Sequence, residues 1–492
     1  MLVSVKNQDF SHGKFVLTPK FAGFGRMEII MTLLRNYQHK KDIWREGVAH
    51  VTLDPDGPGV ARLHLVPPKP RIYKNPPSLL IINGTWFLPV GPSWAALLRY
   101  FFEELKLCCE EKQELSMDEI TQIEQAVVKK MQKLYPKVNT EVFLNDLKEI
   151  VTLSVNIATN QEVPEETRMG LSLEKYSRYM TAPHRMDLIV APMAIHGKRA
   201  CPLNCVCCYA DSGKLMDTSQ TLSTEDWIKI IDKCRDSGIP MLTFTGGEPL
   251  TRPDIVELVK HAEWFVTRLN TNGYLLTKEL AYDLQKASLD GIQITLYSHD
   301  SRIHDALVGK EGAFERTLGG IKNALAAGLS VSINTPLVEK NRDFAKTIRF
   351  VHELGIGCIG CSSLIPTGGA VEQIAAGKAL SSEDLRNLLS EAVAVCNELH
   401  MDISFTSPGW LDPEELLRIG LPSAPACGAC LSNMAVSPTG EVVPCQSWLN
   451  GMSLGNMLTD SWEDIWNHKD CKRIRKSYSL KNKCGIKEDA AR

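Results

Sequence analysis

The chain has 492 residues, of which 23% are charged, and a formal net charge of -3 at pH 7. This length exceeds one ordinary hydrophobic core, so two or three domains are expected, and the near-neutral charge gives no field suited to nucleic acid or an anionic membrane. The sequence lacks a secretory signal and an apolar run long enough to span a bilayer, which predicts a cytoplasmic protein with no membrane partner.

The N-terminal part of the chain, residues 1–165, is predicted to be a separate α+β module. Asn83-Gly84 lies between two apolar runs and predicts a two-residue hairpin turn. One helix is predicted after Pro92, and a second after Ser116, where Glu119 completes a capping box. A hairpin followed by helices suits a small winged-helix-like domain.

Residues 185–400 alternate between strand and helix patterns. Six short strands rich in apolar or β-branched residues are separated by amphipathic helices, the first of which is predicted to begin after Ser223 and to end at Gly238. Repeated strand–helix units predict a parallel sheet with right-handed crossovers. The functional site of such a fold lies at the carboxyl ends of the strands.

A cysteine triplet follows the first of these strands. Cys201, Cys205 and Cys208 form a C-x3-C-x2-C pattern in a chain with 15 cysteines. Because cytoplasmic thiols stay reduced, metal or redox chemistry is favoured over disulfides. Three thiolates at this spacing can bind three irons of a [4Fe-4S] cube and leave the fourth iron open to a small molecule. Cys207 is not needed for this pattern and is expected to be a packed thiol.

A glycine-rich turn follows the second strand and consists of Gly246, Gly247, Glu248 and Pro249. Together with the cysteine triplet, it resembles the radical S-adenosylmethionine (SAM) superfamily, over roughly residues 185–400. The resemblance implies a partial (βα)6 barrel, a SAM-binding [4Fe-4S] cluster on the three cysteines, and SAM bound by backbone groups of this turn.

The resemblance extends to later strands. Asn270 and Asn272 end one strand where the family contacts the SAM ribose, and Thr295 occupies the family's usual serine position. Tyr297 stands where many relatives have aspartate, so any role of that acid is not expected here. Ser362–Gly369 resembles the segment that cradles the adenine. Ordinary strand-end hydrogen bonding is the alternative for each polar side chain.

Cys358 and Cys361 lie near the last predicted barrel strand. A thiol near the radical could return a hydrogen atom to the substrate, as in peptide epimerases, and strand alternation lets at most one of the two point inwards. A thiol packed in the core is the preferred interpretation, and Cys361 is the alternative candidate for a hydrogen donor. No other catalytic residue is assigned.

The C-terminal part, residues 401–492, is predicted to bind metal. Cys427-x2-Cys430-x14-Cys445 supplies three ligands, and Gly440 predicts a hairpin turn that returns Cys445 towards the CxxC pair. The stretch resembles the SPASM or shorter twitch extensions of radical SAM proteins.

This second resemblance implies one auxiliary [4Fe-4S] cluster. The preferred fourth ligand is Cys484, and Cys471 is its rival. An iron left open to the substrate and a structural zinc ion are the remaining alternatives.

Together, the resemblances imply an enzyme in which one electron cleaves SAM to a 5'-deoxyadenosyl radical that abstracts hydrogen from a substrate. The predicted substrate is a ribosomally synthesised peptide, modified by cross-link, thioether or epimerisation. Its leader would bind the N-terminal module, as in similar peptide maturases, and a structural cap on the barrel is the alternative role of this module. A flavodoxin or ferredoxin-type protein would supply the electron. A small-molecule substrate (a tetrapyrrole or nucleotide) and an iron-sulfur electron-transfer or sensing protein are the alternatives.

Overall fold

The computed structural model describes residues 47–53, 61–69, 76–84, 86–109, 115–158, 176–211, 216–219, 221–449, 451–481 and 483–490. The chain forms two compact units, residues 1–180 and residues 181–492. Within the described ranges, every helix is too short or too polar to cross a lipid bilayer.

In the residues that the structure describes, the first unit is an antiparallel sheet followed by three helices. Its strands, in both chain and sheet order, are β1 (Ala49–Leu53), β2 (Ala61–Val66), β3 (Ser78–Ile82) and β4 (Trp86–Val90). Its helices are α1 (Pro92–Cys109), α2 (Met117–Leu134) and α3 (Thr140–Ala158). Leu63 and Leu80 of the sheet share one buried core with Phe102 of α1 and Ile150 of α3, so the α+β class predicted for this part is confirmed.

Two local predictions fall in this unit, and they differ in outcome. Ser116 caps α2, and its backbone N–H donates to the Glu119 carboxylate at 2.8 Å, which confirms the capping box. The turn after β3 has Asn83 and Gly84 at φ 49° and 64°. However, the register pairs Ile82 with Trp86, so the connection has three residues, and the two-residue prediction is wrong.

The second unit is built on a large, mostly parallel sheet. Its strands are β5 (Arg185–Ala191), β6 (Ala194–Ile195), β7 (Lys198–Arg199), β8 (Asp217–Thr218), β9 (Met241–Gly246), β10 (Val266–Thr271), β11 (Gly291–Thr295), β12 (Ser330–Pro336), β13 (Cys358–Ser362), β14 (Asp402–Phe405), β15 (Asn433–Val436) and β16 (Val442–Val443). The large sheet has the order β14-β13-β12-β11-β10-β9-β5-β15-β16, and β6 to β8 form a separate small sheet. Strands β5 and β9 to β13 are the six predicted strands, and all their pairings are parallel.

Helices cover the connections between these strands. They are α4 (Thr224–Asp236), α5 (Ile255–His261), α6 (Lys278–Lys286), α7 (Ser301–Val308), α8 (Ala313–Ala326), α9 (Phe344–Glu353), α10 (Gly369–Ala375), α11 (Ser382–Leu399), α12 (Pro413–Arg418), α13 (Trp462–Asn467), α14 (Lys469–Ser477) and α15 (Gly485–Ala490), with 3-10 turns at Pro249–Thr251, Glu339–Asn341 and Ser479–Lys481. The Ser223 side chain caps α4, and Gly238 follows the helix at φ 78°, both as predicted. The core of this unit therefore lies between the parallel sheet and its crossover helices, as in a partial (βα)6 barrel.

Two strands from the C-terminal part of the chain extend this sheet at opposite edges. Strand β14 pairs in parallel with β13, and β15 pairs in parallel with β5, bringing Ala435 opposite Asp187. The sequence analysis predicted neither β14 nor the pairing of β15 with β5. The division of the chain into residues 1–165, 185–400 and 401–492 stays a prediction.

Candidate functional site

The loop with the cysteine triplet is hydrogen-bonded to the ends of two helices. It runs between β7 and β8, so the β6–β7 hairpin separates it from β5. The backbone N–H groups of Asn204 and Val206 donate to the carbonyls of Val308 and Leu307 at the C-terminus of α7, both at 2.9 Å. At the other end of the loop, the carbonyl of Cys208 accepts a 2.9 Å hydrogen bond from Gly369 N–H. The positions of all three cysteines therefore depend on segments more than 90 residues away.

Two glycines allow this close fit. Gly309 ends α7 at φ 65°, and a Cβ there would lie 2.6 Å from the carbonyl oxygen of Asn204. Gly368 has φ 60°, and a Cβ there would overlap the backbone of Cys208 and Tyr209. Because backbone approaches backbone at both points, only glycine fits. Gly368 and Gly369, in the segment predicted to cradle adenine, pack on the cysteine loop. The sequence analysis did not predict this contact.

The three cysteines of the triplet lie next to one another; Cys201 is buried, and Cys205 and Cys208 are half-buried. Burial raises the pKa of Cys201 to about 12 and that of Cys208 to about 11, and the thiol of Cys205 is shifted upwards for the same reason and by the neighbouring thiols. Without a metal these groups would carry protons near neutral pH, whereas binding to a metal cation deprotonates a thiol. The donor set therefore fits an iron-sulfur cluster.

Cluster ligation does not require the thiols to converge on one point. Among the described residues, no three Cys, His, Asp or Glu side chains form a group that could hold a single metal ion. In a [4Fe-4S] cube each cysteine binds a different iron, so this finding is compatible with cluster binding.

The glycine-rich turn lies where β9 meets the end of β5. Gly247 N–H donates to the carbonyl of Ala191 at 2.8 Å. A Cβ on Gly247 would lie 2.7 Å from the carbonyl oxygen of Pro192, and a Cβ on Gly246 would overlap the backbone of Ala191. Pro249 is buried in the first position of a 3-10 turn. The two glycines are therefore required by the contact between the strand ends.

Glu248 is 1% exposed, and its carboxylate is hydrogen-bonded to neighbouring groups of the protein. It accepts hydrogen bonds from Leu250 N–H at 3.0 Å, from Thr271 Oγ1 at 2.6 Å and from Asn272 N–H at 2.9 Å. Burial raises the pKa of this carboxyl group, and these hydrogen bonds oppose the rise. Glu248 thus joins the glycine-rich turn to the end of β10.

The predicted polar residues lie at adjacent strand ends. The side chain of Asn272 places Nδ2 3.8 Å from Cys201 Sγ, while its Oδ1 accepts from Tyr274 N–H at 2.9 Å. Asn270 and Thr295 are half-buried near the ends of β10 and β11. Asn272 therefore connects β10 with the cysteine loop, and the ribose contacts stay predictions.

Tyr297 also reaches the cysteine loop, and the sequence analysis assigned it no role. It is 4% exposed, and its hydroxyl oxygen lies 3.3 Å from Cys207 Sγ. Cys207 is 8% exposed, as expected for a packed thiol. The only signal in the sequence was the departure from the family pattern at Tyr297.

The C-terminal cysteines come together around the β15–β16 hairpin. Gly440 has φ 86° in the turn between these strands, which confirms the predicted hairpin. Cys430 N–H donates to the carbonyl of Pro444 at 3.1 Å, so the chain returns beside the CxxC pair immediately before Cys445.

Both candidate fourth ligands lie among these thiols. Burial raises the pKa of Cys445, and the charges of Cys427 and Cys484 raise it further, so these three thiols are neighbours. The thiols of Cys430 and Cys471 also interact, which raises the pKa of Cys430 and lowers that of Cys471. Arg475 Nη2 also donates to Cys471 Sγ at 3.2 Å. The choice between Cys484 and Cys471 stays a prediction.

Cys361, on β13, is fully buried. Its thiol donates to the carbonyl of Ser404 on β14 at 3.7 Å, and burial raises its pKa, with a further contribution from Cys396 on α11. These contacts are those of a core thiol, and the hydrogen-donor role stays a prediction.

Comparison with known proteins agrees with this geometry. Residues 197–351 match the Radical SAM superfamily, and residues 427–486 match SPASM, an iron-sulfur cluster-binding domain. The chain belongs to the radical SAM superfamily and carries a SPASM domain. It is an enzyme that uses SAM, a [4Fe-4S] cluster and an auxiliary iron-sulfur cluster, which excludes the alternative of an electron-transfer or sensing protein.

Individual relatives point to more than one chemistry. The chain is 30% identical to the AdoMet-dependent heme synthase of Methanosarcina barkeri, over 58% of this chain and 85% of that protein. It is 26% identical to the PqqA peptide cyclase of Methylocella silvestris, over 54% of this chain and 71% of that protein. It is 29% identical to the subtilosin biosynthesis protein AlbA of Bacillus subtilis, over 56% of this chain and 60% of that protein.

Among solved structures, Streptococcus suis SuiB bound to its precursor peptide SuiA has a similar fold. The TM-score is 0.57 at 16% identity, and the match covers 84% of this chain and 93% of that chain. This likeness shows the fold alone.

Proposed function

We propose that this enzyme modifies a ribosomally synthesised peptide by forming a cross-link or thioether or by epimerisation. The main support for this proposal is the extent of the fold similarity to SuiB. Residues 181–492 make up less than two thirds of the chain, so a match over 84% must extend well into residues 1–180. The peptide-modifying relatives support the same substrate class.

The first unit is the proposed leader-binding module. Its four-stranded sheet has β1 and β4 at its edges, and an extended peptide can add a strand to such an edge through main-chain hydrogen bonds. Binding there would tether the rest of the peptide to the enzyme while leaving its sequence free to vary.

In the second unit, Cys201, Cys205 and Cys208 would hold the SAM-binding cluster. The proposed SAM contacts are Gly246, Gly247, Glu248, Pro249, Asn270, Asn272 and Thr295. The auxiliary cluster would be held by Cys427, Cys430, Cys445 and Cys484. When bound, cluster and SAM supply the radical chemistry, and the protein's part is to orient both substrates and exclude water. A cytoplasmic flavodoxin or ferredoxin is the proposed reductant.

The test uses the full chain, loaded anaerobically with iron and sulfide. With SAM, dithionite and precursor peptides encoded beside its gene, we expect release of 5'-deoxyadenosine and a mass change in one peptide. A peptide without its leader is the matched control and should react at least tenfold more slowly. Equal reaction of both peptides would contradict the leader-binding role.

A second candidate function is chemistry on a tetrapyrrole. It is favoured by the 30% identity to the heme synthase, although that match leaves more than a third of this chain without a counterpart. Turnover of an iron-containing tetrapyrrole by the loaded enzyme, with no mass change in any peptide, would support this candidate and contradict the peptide proposal.

A further inference from the structure

The two faces of the parallel sheet differ in chemistry. Successive side chains of a strand point to opposite faces of its sheet. On the face packed against crossover helices such as α8, the side chains of Leu269, Ile292 and Ile333 are at most 1% exposed. On the opposite face, Asn270 of β10 and Gln293 of β11 are polar and half-buried. This inner face therefore offers hydrogen-bonding groups that water can reach.

Arg268 stands on the inner face, two residues before Asn270 on β10. The parallel register places it between Thr243 of β9 and Gly291 of β11. A Cβ added to Gly291 would lie 4.0 Å from Cγ of Arg268, so the arginine side chain lies beside the glycine. Because glycine has no side chain, space is left next to the arginine on this face.

Arg268 also lies in a concave part of the unit. Its side chain is exposed to water. Burial among protein groups nevertheless lowers its pKa, and the charge of Arg185 on β5 lowers it further, whereas Cys358 on β13 and Asp290 raise it. Strands β5 and β13 lie on either side of β10, two and three strands away, so groups from both directions along the sheet surround the arginine. A side chain that water reaches and that protein groups enclose occupies a cavity, which is where ligands bind.

The charge of Arg268 is not neutralised by its neighbours. In the part of the chain that the structure describes, no carboxylate forms an ion pair with its guanidinium. Arg185 is instead paired with Asp187 at 2.9 Å, and Asp290 accepts a hydrogen bond from Thr267 N–H at 2.8 Å. Withdrawing a charge from bulk water without pairing it costs free energy. An anionic ligand would offset this cost, and the parallel N–H groups of a guanidinium match a carboxylate.

We propose that Arg268 binds a carboxylate of the substrate on the inner face of the barrel. Asn270, a proposed contact of the SAM ribose, is two residues further along the same face, or about 7 Å along the strand. A carboxylate bound at Arg268 would therefore hold the substrate beside the proposed ribose site. This inference rests on the proposed function and names the group that the enzyme recognises. In a peptide that group is an acidic side chain or the C-terminal carboxylate.

The first experiment uses the wild-type protein, loaded with iron and sulfide, with SAM present. Phenylglyoxal modifies accessible arginines, and mass spectrometry of the digested protein measures the label on Arg268. Precursor peptides encoded beside the gene, each added at about ten times its Kd, should include one that lowers this label about tenfold. Arg418, exposed at the end of α12, should keep its label. Full labelling of Arg268 in the presence of every bound peptide would overturn the proposal.

The second experiment pairs the arginine with the carboxylate. Variants of the protecting peptide, with each acidic side chain replaced by its amide or with an amidated C-terminus, are titrated into wild type and Arg268→Gln. One of these peptides should bind wild type about tenfold more weakly than the parent peptide, and its changed group identifies the carboxylate. Arg268→Gln should bind this peptide and the parent equally. A further loss in Arg268→Gln would overturn the proposal.

Two controls accompany this titration. Arg418→Gln removes an exposed guanidinium and should bind all peptides as the wild type does. Arg268→Gln should keep the iron content and SAM affinity of the wild type, since Arg268 is assigned no contact with either cofactor. The labelling experiment needs no variant, so it decides the question by itself if Arg268→Gln does not fold.

Failure of this inference and failure of the peptide proposal give different results. A peptide that is modified while Arg268 stays fully labelled would contradict the carboxylate site alone. An iron-containing tetrapyrrole that is turned over and protects Arg268, with no peptide modified, would contradict the peptide proposal and support the carboxylate site. The ester of the same tetrapyrrole has no free carboxylate and should not protect Arg268.

Discussion

The carboxylate of Glu248 accepts a 2.9 Å hydrogen bond from the backbone N–H of Asn272. This bond connects the glycine-rich turn after β9 with the end of β10, and the side chain of Asn272 continues the connection to Cys201 Sγ at 3.8 Å. The glycine-rich turn and the cysteine loop are therefore connected through two residues, Glu248 and Asn272. A change at Glu248 should alter SAM binding even though its carboxylate is already hydrogen-bonded to other groups of the protein.

Replacing Glu248 with glutamine should weaken SAM binding at least tenfold and leave the iron content unchanged. The amide keeps the shape but turns one acceptor into a donor that faces other donors, which also costs about 1–3 kcal/mol of unfolding free energy. Calorimetric SAM titration and urea denaturation measure the two effects. Glu279→Gln, at the exposed start of α6, is the control. Unchanged SAM affinity in Glu248→Gln would contradict the coupling.

Gly247→Ala should abolish SAM binding and destabilise the second unit. Its new Cβ would lie 2.7 Å from the carbonyl oxygen of Pro192, so the strand ends must separate. Gly319→Ala, in the middle of α8, meets no atom within 4 Å and should instead stabilise the protein by about 0.5–1 kcal/mol. Thermal unfolding of both variants checks the opposite signs. A Gly247→Ala protein that binds SAM normally would rule out the predicted close approach.

Within the cysteine loop, Cys205→Ala and Cys207→Ala should differ sharply. Loss of a ligand should remove about four irons per chain and the EPR signal that responds to SAM, whereas loss of the packed thiol should remove neither. Iron and sulfide analysis of the two loaded proteins makes the comparison. Equal iron content in both variants would show that the triplet is not the ligand set.

For the auxiliary cluster, Cys484→Ala should lose about four irons per chain and Cys471→Ala should keep them. Cys484 neighbours Cys427 and Cys445, whereas Cys471 is already hydrogen-bonded to Arg475 at 3.2 Å. The reverse result would make Cys471 the fourth ligand. Retention in both single variants, with loss in the double variant, would mean that either thiol can complete the site.

His304 should make the protein less stable in mild acid. Burial lowers its pKa from 6.5 to about 4, so the unfolded state binds a proton that the folded state does not. The neutral imidazole costs no stability above pH 6.5, and the free energy of unfolding should fall by up to about 3 kcal/mol as the pH drops towards 4. His304→Gln should flatten this decline in urea titrations. An unchanged slope would mean that other groups cause it.

Short-range patterns in the sequence were reliable guides to structure. The cap at Ser223 and the capping box of Ser116 and Glu119 were predicted because a cap depends on residues within one helical turn. The hairpin at Asn83 was located correctly, but its length was not, because the pairing of Ile82 with Trp86 is set by packing of the whole sheet.

For the candidate site too, short-range patterns predicted some features, and packing between distant segments decided others. Cysteine spacing and the glycine-rich turn identified the cofactor chemistry, since ligand type and spacing are written in the chain. Packing between segments that are distant in the sequence decided three contacts of the site. They are the contact of Tyr297 with Cys207, the contact of the cysteine loop with Gly368, and the pairing of β15 with β5. A sequence pattern records which groups can bind a metal or end a strand, whereas contacts between segments far apart along the chain exist only once the sheet has brought their ends together.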